Sequence, residues 1–349
     1  MTSPREAKSP MKERSSREGQ RRPERKSDWR NRSVVAITAA PIGLYSWVPW
    51  AHMRSSSAQS AKPIDTMIAM TRRSFVPALA AGAAVAACAQ DPKPVQRKGR
   101  IKQGITAGCL KGMSFEDQCR HAARLGVVGF DLRGTADWPT LKKYGLVSSM
   151  VPNGGGNIPD ALNRVENHDR IEKSMHEMLD LCAAAGAPNL ITFSGNRRGQ
   201  KDEEGLDNCV KFLNKVKAHA EEKNVTICME YLNSKVNHKD YQFDHMAYGV
   251  EVCKRVNSPR VKILYDMYHV QIMEGDIIRM MRDNIQWIGH FHTAGNPGRH
   301  EMDDTQEMNY RGIIQAIAAT GYQGFVSHEY TPLHDPLQSL EETLTMFDV

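Results

Sequence analysis

The residues best suited to chemistry lie in the stretch 261–275, which reads V-K-I-L-Y-D-M-Y-H-V-Q-I-M-E-G. Its first six residues are rich in β-branched and aromatic side chains and predict a buried strand over 261–266. Asp266 lies at the end of that strand, and His269 follows three residues later. A carboxylate and an imidazole that leave a buried strand together suit a metal ion or a polarised substrate oxygen. Taken alone, the pair is more typical of an aspartate that caps the next turn beside a surface histidine.

Three further predicted strands end in comparable residues. The strand over 225–230 ends in Glu230, and Asn233 and Lys235 lie just beyond it. The strand over 287–292 contains two histidines at positions i and i+2, which share one face because side chains alternate along a strand. These two histidines are His290 and His292. The last predicted strand, over 325–329, ends in His328 and Glu329.

Four strand ends with the same chemistry favour one common site. Three carboxylate oxygens and one imidazole suit Mg²⁺ or Mn²⁺ better than a structural zinc ion. The sequence therefore predicts a divalent-metal site at the strand ends, formed by Glu230, Glu329, Asp266 and a histidine between them.

The elements that must position these residues alternate regularly between strand and helix. The predicted strands span 101–106, 127–132, 146–151, 190–193, 225–230, 261–266, 287–292 and 325–329. The predicted helices span 115–125, 138–144, 168–185, 203–223, 244–256, 276–282, 310–320 and 336–347, the first with Ser114 as its N-cap and Asp117 at the capping-box position. Eight such units in about 250 residues predict an α/β fold, a (β/α)8 TIM barrel, whose chemistry lies at the C-terminal ends of its strands. A doubly wound open sheet is the alternative, but no G-x-G-x-x-G follows the first strand.

A different kind of sequence precedes this barrel. Residues 1–69 carry 13 Lys and Arg against 6 Asp and Glu, which leaves 33 against 34 in the rest of the chain. The near-neutral remainder argues against a nucleic-acid partner attracted by bulk charge. The first 33 residues contain too few apolar side chains to fold, so we expect 1–69 to be a disordered leader or to be untranslated, with Met67 or Met70 as the start.

Residues 70–88 have the layout of an export signal. Arg72 and Arg73 precede a short apolar run, as in a twin-arginine signal, and the run ends in V-A-A-C, as in a bacterial lipobox. We expect the protein to be exported, and to be periplasmic or membrane-anchored through a lipid on Cys88. It would be cytoplasmic if the signal does not function. Residues 89–100 are predicted to be a linker, and the six later cysteines lack metal-site or disulfide spacing, which favours buried free thiols.

The sequence from 101 to 349 resembles the hydroxypyruvate isomerase family, one of the xylose-isomerase-like barrels that include ketose 3-epimerases. The motifs that carry this resemblance are C-M-E-Y-L-N, L-Y-D-M-Y-H-V-Q-I-M-E-G, I-G-H-F-H-T-A-G-N-P-G-R-H-E, E-M-N-Y and H-E-Y-T-P. The resemblance implies that Glu230 and Glu329 transfer the proton and that both face the metal together with Asp266 and His292. It also implies that His269 and Arg299 hold substrate oxygens, with Asn233 and Lys235 as further candidates for substrate binding.

Two departures concern the substrate. Hydroxypyruvate isomerases commonly have glutamine at the position of His292, where the epimerase branch has histidine. After Arg299 the chain reads H-E-M-D-D-T-Q-E, where those isomerases tend to have E-P-x-x-G-E. The expected partner is therefore a small keto acid or sugar, the oligomeric state is left open with a homo-oligomer among the options, and a ketose 3-epimerase is the alternative activity.

The predicted reaction follows from the residue types. Moving a carbonyl between adjacent carbons requires loss of a proton from the hydroxyl-bearing carbon, which gives an enediolate. A metal ion on both oxygens favours that loss, and glutamates take and return the proton. An endonuclease of the same barrel superfamily would need further histidines on the second and third strands, where the chain has Asp131 and the region of Asn153. A lipid-anchored sugar-binding protein without turnover is the alternative from another class.

Two weaker candidates remain. Asp131 and Arg133, at the end of the second predicted strand, either line the pocket or pair with each other. The glycines at 154–156 are more typical of a flexible lid than of a phosphate cradle, because no Lys-Ser/Thr pair follows them.

Overall fold

The computed structural model describes residues 93–152 and 154–349. The predicted leader, the predicted signal at 70–88 and the first part of the linker lie outside the described residues. Residues 93–99 contain neither helix nor strand. No helix in the described part of the chain is long and apolar enough to cross a membrane.

Seven parallel strands form one sheet with the order β2-β1-β7-β6-β5-β4-β3. Consecutive strands are joined by helices, which a parallel arrangement requires. The strands are β1 (Lys102–Ile105), β2 (Gly129–Phe130), β3 (Asn189–Thr192), β4 (Thr226–Glu230), β5 (Val261–Asp266), β6 (Ile288–Thr293) and β7 (Phe325–His328).

The two edges of this sheet are joined by the segment 147–151. Val147 forms a parallel bridge with Gly129 of β2, and Val151 forms one with Leu190 of β3. The prediction of an eighth strand at 146–151 thus corresponds to a segment with single bridges rather than a full ladder. Because it contacts both edge strands, the ring closes, and the predicted TIM barrel is confirmed.

Nine α-helices lie in the described residues, and eight of them were predicted. Ser114 caps the first helix as expected, since its Oγ accepts a hydrogen bond from the Asp117 N–H at 3.1 Å. The helices are α1 (Phe115–Arg124), α2 (Trp138–Lys143), α3 (His168–Ala185), α4 (Asp202–Lys223), α5 (Met246–Val256), α6 (Met267–Met273), α7 (Ile277–Asn284), α8 (Tyr310–Ala319) and α9 (Pro336–Met346). Only α6, which follows β5 without a loop, was not predicted.

The inward faces of β4 and β5 change from apolar to acidic toward their C-terminal ends. Cys228 and Leu264 pack together in a small buried cluster. Two residues further along each strand, and so on the same face, come Glu230 and Asp266. The period of two therefore brings both carboxylates to the same end of the barrel.

Candidate functional site

The four predicted ligands converge at the C-terminal ends of four neighbouring strands. One ligand atom from each of them lies within 4.8 Å of the other three. Asp266 and His292 are directly opposite each other in the register of β5 and β6. Glu230 ends β4, and Glu329, whose side chain is 23% exposed, follows β7. The site cluster, as we call Glu230, Asp266, His292 and Glu329, is thus formed by residues up to 99 positions apart in the chain.

His292 is held with one ring nitrogen toward the cluster. Its Nδ1 lies 2.7 Å from Oε2 of Glu329 and 3.6 Å from Oε1 of Glu230. This Nδ1 is buried and has no aligned hydrogen bond in the described structure. The opposite nitrogen, Nε2, lies 2.9 Å from Oδ2 of Asp131. A carboxylate accepts only, so Nε2 donates to Asp131. Burial opposes protonation of His292, but the surrounding carboxylates outweigh burial and raise its pKa well above the ordinary value. Nδ1 therefore also carries a proton, which a bound cation would replace.

Asp131 is a functional residue whose role the sequence left undecided. The structure pairs it with neither Arg133 nor bulk solvent: its buried carboxylate accepts from His290 Nε2 at 2.6 Å, from His292 Nε2 and from the Ser149 hydroxyl. Burial opposes its ionisation, but the two histidines outweigh burial and hold the pKa of Asp131 well below its usual range. The i, i+2 spacing of His290 and His292 was the available signal for this shared partner.

Asp266 caps a helix and also faces the cluster. Its Oδ1 accepts from the Tyr268 N–H at 2.9 Å and so caps α6. Its Oδ2 lies 3.0 Å from a guanidinium nitrogen of Arg299 and 3.5 Å from Nε2 of His269. One carboxylate therefore begins a helix with one oxygen and faces the cluster with the other.

His269 is fully buried beside the cluster and is oriented by Asn233. The Asn233 amide donates to Nδ1 of His269 at 2.6 Å, which leaves Nε2 as the protonated nitrogen, facing Asp266. Burial lowers the pKa of His269 to about 4, and Asp266 offsets only part of this effect. The imidazole is consequently neutral near pH 7 and can donate one hydrogen bond into the site.

The two predicted cationic residues differ in position. Arg299 reaches the cluster, where one guanidinium nitrogen donates to Asp266 at 3.0 Å and to Glu329 at 2.8 Å. The ammonium group of Lys235 instead donates to the carbonyls of Ile272 and Met273 at the end of α6. The structure therefore brings Arg299 into the site and places Lys235 on a helix terminus.

The two glutamates have opposite pKa shifts. Burial is the main influence on Glu230 and, with the charge of Glu329, raises its pKa to about 7. Burial also works to raise the pKa of Glu329, but Arg299 and His292 outweigh it and hold that pKa at about 2. Carboxyl groups whose pKa values are driven apart by their surroundings are the arrangement expected of an acid–base pair.

The cluster fits a divalent cation. Three carboxylates packed in a buried space repel one another, and Nδ1 of His292 lacks an aligned hydrogen-bond partner. A cation with oxygen and imidazole preferences would satisfy both conditions. The residues Glu230, Asp266, His292 and Glu329 can therefore hold a divalent cation.

The chain is similar to several known proteins. The 2-oxo-tetronate isomerase of Cupriavidus necator is 36% identical over 100 residues, which cover 28% of this chain and 38% of that protein. The hydroxypyruvate isomerase of Escherichia coli is 35% identical over 100 residues, with the same coverage of 28% and 38%. The matched region spans less than half of either relative. Among solved structures, that of AP endonuclease, family 2, from Brucella melitensis shares the fold, with a TM-score of 0.64 and 23% identity over 70% of this chain and 98% of that one.

The family follows from a broader match. A family model described as a xylose isomerase-like TIM barrel matches residues 139–348. That range contains all four residues of the site cluster, and it confirms the resemblance inferred from the sequence motifs. The chain belongs to the xylose isomerase-like TIM barrel family.

Proposed function

We propose that this protein is an isomerase that moves a carbonyl group between adjacent carbons of a small α-hydroxy keto acid or sugar. The observation that carries the proposal is the convergence of two glutamates from separate strands, Glu230 and Glu329, on one buried cation site. A protein that only binds sugar would need no pair of carboxyl groups with opposed pKa values.

In the proposed reaction the two glutamates take and return one proton. Glu329 is the ionised carboxylate of the pair and suits removal of the proton from the hydroxyl-bearing carbon. That proton would then pass within the pair to Glu230, from the strand three positions away in the sheet, which would donate it to the neighbouring carbon. The hydroxyl proton of the substrate would move to the former carbonyl oxygen, which completes the exchange. When bound at the cluster, Mg²⁺ or Mn²⁺ supplies Lewis-acid stabilisation of the charge that develops on the substrate oxygens.

The remaining residues orient the substrate. His269 is neutral and carries its proton on Nε2, so it can donate to a substrate oxygen beside Asp266. Arg299 adds positive charge next to Glu329 and keeps that carboxylate ionised. Both groups act by position and charge and exchange no proton in this scheme.

The names of the relatives support a keto acid as the substrate class, since one is called a 2-oxo-tetronate isomerase and another a hydroxypyruvate isomerase. The test is to incubate the purified protein with hydroxypyruvate, 2-oxo-tetronate and a panel of ketoses, with and without Mn²⁺, in deuterated water. We expect metal-dependent conversion of a keto acid, with deuterium in the product at the carbon that carried the carbonyl group in the substrate. Conversion of ketoses alone, with inversion at C3, would identify the ketose 3-epimerase. Binding without any exchange would identify the binding protein.

A further inference from the structure

A polar cavity of about 390 Å³ lies directly beside the site cluster. It opens at the C-terminal ends of β1, β2 and β7. Its walls include Glu329 and Arg299 on one side and, on the other, Asp131 and Arg133 from the residues that follow β2. A molecule that reaches the site cluster from this cavity therefore passes between two arginines.

Arg299 has little capacity left for an anionic ligand. One guanidinium nitrogen is shared between Asp266 and Glu329, and Nε lies 3.3 Å from the Glu329 carbonyl. Two carboxylates already offset its single positive charge. A substrate carboxylate placed against Arg299 would also lie beside these two negative groups.

Arg133 is less committed. Its only carboxylate partner in the described residues is Asp137, at 2.6 Å, and its buried Nε has no hydrogen-bond partner there. The central carbon of the guanidinium lies 4.0 Å from the centroid of the Phe115 ring, a cation–π contact that holds the group at the cavity wall.

The backbone around Arg133 is fixed by hydrogen bonds and has an unusual conformation. The preceding residue, Leu132, has a φ of 60°, a left-handed conformation that costs energy for a branched side chain. The Arg133 carbonyl accepts hydrogen bonds from the Trp138 indole at 3.1 Å and the Ser148 hydroxyl at 3.0 Å. Strain of this kind persists only where the surroundings enforce it, and it occurs preferentially at binding sites.

We infer that Arg133, rather than Arg299, receives the anionic end of the substrate and makes the site selective for α-hydroxy keto acids over neutral sugars. This inference rests on the proposed function. The carboxylate would lie at the Arg133 end of the cavity, while the carbonyl and hydroxyl carbons reach Glu230 and Glu329.

The test compares Arg133→Met with the control Arg279→Met, an exposed arginine of α7 that pairs with Asp276. Charge-assisted bidentate bonds are the stronger class of hydrogen bond. We therefore expect Arg133→Met to raise the KM for hydroxypyruvate by about 10–100-fold with a smaller change in kcat. Calorimetric affinity for tartronate, an unreactive hydroxy-dicarboxylate, should fall by a similar factor, and affinity for the neutral dihydroxyacetone by much less. The control should match the wild type in all three measurements.

Each result decides a separate point. Unchanged tartronate affinity and KM in Arg133→Met would overturn the inference. If the wild type turns over no substrate, but binds tartronate and Arg133→Met does not, the proposed function is contradicted and the anion site at Arg133 is supported. If Arg133→Met does not fold, Arg133→Lys serves instead, because it keeps the charge and loses the planar fork. It should weaken tartronate binding several-fold, and an unchanged affinity would again overturn the inference.

Discussion

At the scale of single residues, the site depends on carboxyl groups that differ because their neighbours differ. Glu329 contacts Arg299 and His292, whereas Glu230 is buried with fewer compensating charges. Without a bound cation the pair holds about one proton near neutral pH, as coupled carboxyl groups commonly do. The same two side chains can therefore take and return a proton without large movements.

Replacing either glutamate by glutamine should abolish most turnover. Glutamine keeps the size of the side chain and one oxygen, but it cannot accept the substrate proton. We expect Glu329→Gln and Glu230→Gln each to lower kcat by about 10²–10⁴-fold, with a smaller effect on KM. The double variant should be little worse than either single one, because the pair acts as a unit.

The measurement is deuterium exchange into the substrate, with Glu342→Gln on the exposed face of α9 as the control. Exchange in Glu329→Gln at the wild-type rate would remove that residue from the mechanism.

Asp131 should control metal affinity without touching the metal. It accepts from Nε2 of His292, so that Nδ1 is the nitrogen that faces the cluster. Asp131→Asn removes the negative charge and can turn its amide N–H toward the ring. Loss of such an outer partner typically costs about 10–100-fold in metal affinity. Titration with Mn²⁺, followed by electron paramagnetic resonance, measures the affinity directly and needs no substrate.

The matched control for this substitution is Asp283→Asn, at an exposed position of α7. Thermal melts of both variants show whether they are folded. A folded Asp131→Asn protein with wild-type Mn²⁺ affinity would show that His292 needs no partner to be oriented.

At the scale of elements, the sequence predicts long periodic segments best. The bounds of α3 and β5 agree with the prediction at every residue, because each has a clear period and a clear stop, such as the left-handed Gly186 after α3. The helix α6 escaped prediction because its N-cap, Asp266, is also the last residue of β5. No turn-forming residue separates the two elements, so the sequence contains no signal for the end of the strand and the start of the helix.

For the candidate site, the sequence predicted which residues lie together but not their hydrogen-bond partners. Strand ends converge in a parallel barrel, so Glu230, Asp266 and a histidine of the next strand could be grouped from their positions. The choice of His292 came from the family resemblance. Hydrogen-bond partners depend on distances between strands that the sequence does not contain. The contacts of Asp131 with His290 and of Lys235 with the end of α6 could therefore not be predicted from the sequence.

The N-terminus of α3 should make stability depend on pH. His168 is buried there, donates from Nε2 to the Leu162 carbonyl at 2.9 Å and packs against Phe212 of α4. Burial lowers its pKa below the ordinary value, and nearby lysines add to this effect. Its contribution to stability is therefore complete above about pH 6.5 and is lost as the pH falls through the lower pKa of the folded state.

The measurement is urea unfolding of the wild type and His168→Gln at pH 7.5 and pH 5. Glutamine can donate to the same carbonyl but does not titrate, so the destabilisation caused by the substitution should be smaller at pH 5. His334→Gln, at an exposed position, is the control. An equal destabilisation at both pH values would assign the acid sensitivity to other groups.

At the scale of the whole molecule, the predicted signal concerns the location of the protein in the cell. Residues 70–88 lie outside the described structure, and the prediction rests on Arg72, Arg73 and the V-A-A-C sequence that ends at Cys88. We expect the mature protein to begin at a lipid-modified Cys88 and to be found at a membrane facing the periplasm. Mass spectrometry of the native protein decides this, and a cytosolic protein that retains residues 70–88 would contradict it.

The cluster and the cavity lie at different parts of the barrel. The four cluster residues come from the consecutive strands β4 to β7, while the cavity lies toward β1 and β2. A bound cation would connect these four neighbouring strands through one centre. The unfolded chain cannot present these ligands together, so the cation should bind the folded state selectively and stabilise it.

Mn²⁺ or Mg²⁺ at about 100 times its dissociation constant should therefore increase the free energy of unfolding by about 2.7 kcal/mol. At a fixed ion concentration this stabilisation should grow as the pH rises from 6 to 8, because Glu230, whose pKa is raised to about 7, must lose its proton to bind the ion. Urea unfolding with and without the ion, at both pH values, measures the effect. Asp266→Asn should lose it and Asp283→Asn should keep it, since only Asp266 belongs to the cluster. If the ion stabilises Asp266→Asn as much as the wild type, the cation binds elsewhere on the molecule, and the proposed chemistry at the ends of β4 to β7 would have to proceed without it.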